Sequence, residues 1–230
     1  MGAQLVRRAS PALRVGNHEF YGHAVDTLID DLRRSAAGSS VHVLENDELV
    51  IHGVRYLGCT LWSDFDFAGA DRRTESMLLA ERVVNDYGQI EFGSGGRPLT
   101  PDNTRQLHLS SRRWLKQRLG DGHPGPTVVV THHAPLIRTR PSSPALRALA
   151  GTFANDVTEL MSGDRVSLWI FGHTHRVADL ELHGTHVVSN PRAIRISRSP
   201  GSTPAAWSRS TAVELHIFRS RRPVGSRLHA

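Results

Sequence analysis

Residues 127–130 read Thr-Val-Val-Val, run on into Thr131-His132-His133 and are stopped by Pro135. Four consecutive β-branched residues with no polar partner make a strand that is buried on both faces. The rest of the chain alternates helical and β patterns, with antiparallel hairpins among them. The expected fold is therefore mixed α/β, with helices packed on its sheets. No internal repeat is present.

A short strand over Ala12–Val15 opens the pattern. Val25, Leu28, Ile29 and Leu32 recur at helical spacing and predict a helix over Tyr21–Ala36. Three β-rich runs follow, VHVLEND, ELVIHG and VRYLGCTLW, with a tight turn at His52-Gly53 joining the last two. Residues 71–87 are helical in character, and GSGGRP at 93–98 is a flexible loop. Thr100-Pro101-Asp102 starts another helix, with Thr100 as its cap. A strand over Val166–Phe171 then runs into Gly172-His173-Thr174-His175, and a hairpin turns at His183-Gly184.

The chemistry lies in where these strands end. Asn17-His18, His132-His133 and His173-x-His175 each follow a strand. In α/β sheets the carboxyl ends of neighbouring strands share one edge, where ligands bind. Read alone, Asn17-His18 suits a turn or helix cap better than a ligand pair, and the His-His pair suits a structural role as well as a metal. Gly-His-Thr-His is harder to explain structurally, because buried imidazoles need partners for both ring nitrogens. The three together point to a metal site. Imidazole binds borderline ions such as Zn, Mn or Fe, and an amide oxygen can add a neutral ligand. Adjacent ions can activate water and clamp a phosphoryl group, while an imidazolium nearby can protonate the leaving oxygen.

Composition narrows the alternatives. The single cysteine, Cys59, excludes an intramolecular disulfide or a cysteine metal knot, whereas there are 14 histidines. No apolar run approaches the roughly 18–20 residues of a membrane span. The first residues carry arginine without an apolar core, so no signal peptide is read and a cytoplasmic protein is expected. Of the net charge of +6, residues 192–230 carry +7, from eight Arg and one Glu, leaving −1 for residues 1–191. The basic character thus belongs to a Ser/Arg/Pro-rich C-terminal segment, expected to be largely disordered, with a last strand near 211–218. Nucleic-acid contact through that tail is a secondary reading; a solvated basic tail is the simpler one.

GNHE at 16–19, VVVTHHAP at 128–135 and WIFGHTH at 169–175 resemble three of the five signature blocks of the calcineurin-like metallophosphoesterases. The stretches LENDELVIHGVRYLGCTLWSDF and NDYGQI are similar to the bacterial small-phosphoesterase branch. The resemblance covers about residues 14–192. It implies a double β-sandwich flanked by helices, two divalent metal ions (Mn, Zn or Fe) and a small phosphoester substrate. Residue by residue, it implies that Asn17, His132 and His173 bind one metal and His175 the other. His18 would steady or protonate the departing group. His133 is a neighbour and not a ligand, and Asp64 lies near the site without an assigned role.

The resemblance is incomplete. The family places an Asp-x-His block and a Gly-Asp-x-x-Asp block upstream of Gly-Asn-His-Glu, and neither is found in the fifteen residues before Gly16. Asp121-Gly122-His123 fits the first by letters but precedes a strand, and Gly163-Asp164 lacks the later Asp. The expectation is an N-terminally truncated domain over 1–191, lacking the first strand-helix-strand unit, with one metal or none and weak or no phosphoesterase activity. The alternative is a catalytically inactive metal- or phosphate-binding remnant.

Overall fold

A computed structural model describes residues 12–93, 95–136 and 143–190. The basic segment 192–230, with its expected strand near 211–218, lies outside them. Among the described residues, eight strands form two sheets. β1 (Ala12–Arg14) and β2 (His42–Leu44) pair in parallel. β3 (Asp47–Ile51), β4 (Val54–Cys59), β5 (Thr127–Thr131), β6 (Leu168–Ile170), β7 (Ala178–Leu182) and β8 (Thr185–Ser189) make a six-stranded sheet in the order β3-β4-β5-β6-β8-β7. Its four inner strands, β4, β5, β6 and β8, are parallel, and antiparallel hairpin partners close both edges.

The hairpins follow from their turn residues. His52-Gly53 and His183-Gly184 all take left-handed φ, +51° and +79° in the first and +51° and +78° in the second. Positive φ at both central residues matches the right-handed twist of the flanking strands. β5 is buried along its whole length, as its unbroken β-branched run requires. Val129 shares one apolar cluster with Leu57 of β4, Trp169 of β6 and Val187 of β8, and with Leu115 and Leu119 of the long helix.

Among the described residues, five helices flank the sheets: α1 (Val25–Ala36), α2 (Arg73–Val83), α3 (Asp86–Gln89), α4 (Pro101–Gly120) and α5 (Pro144–Ala150). α4 begins as expected: Thr100 Oγ1 accepts from Asn103 N, and Asn103 Oδ1 accepts from Thr100 N, with Pro101 in the first turn. α1 starts later than its periodicity predicts. Gly22 has φ +77°, and residues 21–24 reach across to residues 89–91 instead, with Gly22 N donating to Gln89 O and Val25 N to Glu91 O. β6 is also shorter than the expected Val166–Phe171, because Val166 N donates to Ser162 O and closes a turn. The expected helix over 71–87 divides into a 3-10 turn at Ala70–Arg72, α2 and α3.

A second apolar cluster joins Val15, Phe20, Leu28, Ile29, Trp62, Phe65 and Leu99. It fixes the segment after β1 against the segment after β4. No helix among the described residues is long and apolar enough to cross a membrane.

Candidate metal centre

Parallel pairing brings the carboxyl ends of β4, β5 and β6 to one edge. β4 delivers Thr60, β5 delivers His132 and His133, and β6 delivers Gly172 and His173. β1 joins them because Thr60 Oγ1 donates to Val15 O at 3.1 Å, which places the 3-10 turn Asn17–Phe20 beside the same edge. Asp121 and His123 precede β5, at its opposite end, where His123 Nε2 lies 3.0 Å from Gly53 O.

Three donor atoms converge. Asn17 Oδ1 lies 2.7 Å from His132 Nε2, and His132 Nε2 lies 2.9 Å from His173 Nδ1. A single proton on His132 Nε2 cannot serve both contacts with good geometry, since Asn17 Oδ1 offers only lone pairs and a protonated ring nitrogen has none to offer His173. A cation answers that arrangement. A divalent ion bonded at about 2.1 Å holds its donors about 3.0–3.4 Å apart, so a small opening of the present spacing admits one. Among the described residues no group of three or more His, Cys, Asp or Glu side chains is set to hold a metal; here the third donor is an amide.

The amide is held in one orientation. Asn17 is buried, and its Nδ2 donates to both oxygens of Asp86, at 2.9 and 3.0 Å, which turns Oδ1 towards His132. Tyr21 OH donates to the same carboxylate at 2.8 Å. Burial, and then the Asp86 hydrogen bond and charge, push the Tyr21 phenol above its ordinary range, so it stays a donor.

Close approach of the His132 ring depends on Gly16. A Cβ there would lie 2.7 Å from His132 Cε1 and 2.9 Å from Nδ1. Glu19 accepts from Gly16 N at 2.7 Å and closes the turn that carries Asn17. His133 is buried behind the cluster, with Nδ1 3.2 Å from Thr60 O and its ring 4.2 Å from that of His173. Phe153 lies on the solvent side, its ring 5.4 Å from His173.

His18 and His175 stand apart from the three donors. Both are exposed, and His18 rests against the Tyr21 ring at 4.8 Å. His173 and His175 both have left-handed φ, +61° and +52°, around a tight turn in which Thr174 N donates to Gly172 O. For residues other than glycine that conformation costs about 1–3 kcal/mol each. Among the described residues His175 shows no hydrogen bond or ring contact to the cluster. Asp64 is buried elsewhere, 3.8 Å from His108 Nε2. Burial pushes the Asp64 carboxyl up and the His108 imidazole down, each towards its neutral form.

Sequence reasoning had no role for Asp86, Tyr21, Gly16 or Phe153. Asp86 stands in the stretch NDYGQI, a resemblance without a function attached, and nothing local marks it as a partner of Asn17.

No curated protein sequence matches this chain. Among solved structures, the fold is similar to the phosphopantetheinyl hydrolase of Mycobacterium tuberculosis, with a TM-score of 0.56 and 19% identity over 77% of this chain and 67% of that one. A putative 5'-nucleotidase from Staphylococcus aureus is more distant, at a TM-score of 0.37 and 16% identity, over 78% of this chain and 32% of that one. The family model for calcineurin-like phosphoesterases matches residues 4–177. With three strands delivering Asn17, His132 and His173 to one edge and that match spanning most of its length, the chain belongs to the calcineurin-like phosphoesterase family.

Proposed function

We propose that the chain is a metal-dependent phosphoester hydrolase whose divalent ion is held by Asn17 Oδ1, His132 Nε2 and His173 Nδ1. The observation that carries this reading is the convergence of those three atoms at 2.7 and 2.9 Å on a sheet edge. Three protein donors leave a position open for water or substrate. When bound, such an ion supplies Lewis acidity towards a phosphoryl oxygen and lowers the pKa of water.

The remaining roles belong to the chain's own side chains. His18, exposed beside Asn17, donates a proton to the departing oxygen as imidazolium. Its Tyr21 contact limits where the ring can swing. His175, on the same loop as His173, offers an imidazole to a second ion. All three converging donors are neutral, so charge adds nothing to their hold on a cation. Metal affinity is accordingly low and turnover slow. Phosphomonoesters and phosphodiesters are both candidate substrates.

A second reading is a metal- or phosphate-binding module without catalysis, favoured by the neutral donor set and by the exposure of His175. Elemental analysis combined with hydrolysis of an aryl phosphomonoester and a bis-aryl phosphodiester in Mn²⁺ separates the two. Metal-dependent turnover that is lost in His132→Ala supports the enzyme. Bound Mn²⁺ without turnover supports the binding module.

A further inference from the structure

We infer that Asp86 is the positioning residue of this centre, setting which atom Asn17 presents to the metal and tying that choice to the ring beneath His18. The inference rests on the metal reading above and goes beyond it. An amide side chain has two ends of nearly equal shape, and only the oxygen can bind a cation. The carboxylate of Asp86, 6% exposed, accepts two hydrogen bonds from Asn17 Nδ2. Turning the amide over would set Oδ1 against two carboxylate oxygens, oxygen facing oxygen in a buried site. One orientation survives, and it is the one that aims Oδ1 at His132 Nε2.

The same carboxylate accepts from Tyr21 OH, and the Tyr21 ring lies 4.8 Å from His18. Asp86 thus holds both ends of the turn Asn17–Phe20 from a helix remote in sequence. Its contacts reach the ligand at position 17 and, through Tyr21, the neighbour of the proton donor at position 18. Carboxylates that orient metal ligands in this way govern affinity by about 10–100-fold.

The test is Mn²⁺ affinity by equilibrium dialysis, with thermal unfolding of the metal-free chain measured alongside. Asp86→Asn replaces one acceptor by an NH₂ group facing the NH₂ of Asn17, and the expected result is weaker binding by about 10–100-fold. Asn17→Asp adds a charged donor but sets two carboxylates face to face, so its affinity is the reference for charge without the donor–acceptor match. The double variant Asn17→Asp/Asp86→Asn restores donor against acceptor. The new carboxylate accepts from the new amide, its other oxygen faces the metal, and Tyr21 OH keeps an acceptor. Its affinity is expected to return to wild type or above. Tyr21→Phe keeps the ring and loses the hydrogen bond, and its binding is expected to fall by less than that of Asp86→Asn. Where Asp86→Asn does not fold, Tyr21→Phe is read against wild type: weaker binding in a folded chain supports the inference, and wild-type affinity overturns it.

A purely structural role would lower the unfolding temperature without moving affinity in folded chains, and the exchange would not rescue it. Folded Asp86→Asn with wild-type affinity, a double variant no better than the single ones, or Tyr21→Phe weaker than Asp86→Asn overturns the inference. A wild-type chain that takes up no Mn²⁺ overturns the metal reading, and the inference with it.

Discussion

The ring of His133 lies against that of His173, with centroids 4.2 Å apart and planes 33° from parallel. His133 is 2% exposed, and Trp62 lies behind it at 5.7 Å. One donor of the candidate centre therefore rests on a packed aromatic wall. His133→Ala should cost about 2–4 kcal/mol through the cavity it leaves and should also loosen His173. His133→Phe keeps a ring beneath His173 and gives up the side-chain hydrogen bond to Thr60 O, a loss of about 0.5–1.5 kcal/mol. Denaturant unfolding of the two variants checks the difference, and equal losses would contradict the packing role.

Gly16→Ala is expected to be more damaging to the site than to the fold. Gly16 has φ −95°, so alanine meets no backbone strain there. The added methyl instead meets His132 Cε1 and Nδ1. Moving the ring or the turn costs about 1–3 kcal/mol. Metal uptake should fall even in chains that melt near the wild-type temperature, and unchanged uptake would show that His132 has room to yield.

The loop after β4 has left-handed φ at Leu61, Trp62 and Phe65, all buried. Asn155 holds it, donating through Nδ2 to Trp62 O at 2.8 Å and accepting from Asp64 N at 3.0 Å. Asn155→Ala strands a buried carbonyl and a buried N–H, for an expected loss of about 2–4 kcal/mol. Hydrogen exchange should rise first at residues 61–65 and then at His133. Protection unchanged over that loop would mean that the apolar cluster holds it unaided.

The edge where Asn17, His132 and His173 meet is legible in the sequence because each lies within three residues of the end of its strand. Asn17 follows β1, His132 follows β5 and His173 follows β6, so a strand reading and a ligand reading reinforce each other. The two hairpins are legible for the same local reason, a His-Gly pair between β-rich runs. Asp86 is not legible, since its partners Asn17 and Tyr21 lie 69 and 65 residues away and nothing periodic links them. The start of α1 is hidden because apolar spacing continues smoothly past a Gly22 whose left-handed turn is set by pairing with residues 89–91. Asp64 follows β4 in sequence, yet its carboxylate faces His108 Nε2 at 3.8 Å, while its backbone N–H donates to Asn155 Oδ1.

The Asp64–His108 pair makes stability depend on pH. Burial, the largest influence, pushes the His108 imidazole below its ordinary 6.5 and the Asp64 carboxyl above its ordinary 3.8. Below about pH 6.5 the unfolded chain takes up a histidine proton that folded His108 resists, so acidification favours unfolding. Asp64 acts in the opposite sense, its contribution being lost as pH rises from 3.8 towards the raised folded value. His108→Gln keeps a donor for Leu61 O and removes the histidine contribution. Its unfolding midpoint should therefore fall less than that of wild type between about pH 7 and about pH 5. An equal or larger fall would place the titration elsewhere.

The most direct measurement of the central claim is the visible absorption spectrum of Co²⁺-loaded chain, in wild type and in His132→Ala and His173→Ala. A centre built from Asn17, His132 and His173 predicts d–d bands in wild type that are lost or displaced when either imidazole is removed, with far-UV dichroism unchanged. Wild-type bands that persist unaltered in both variants would contradict it.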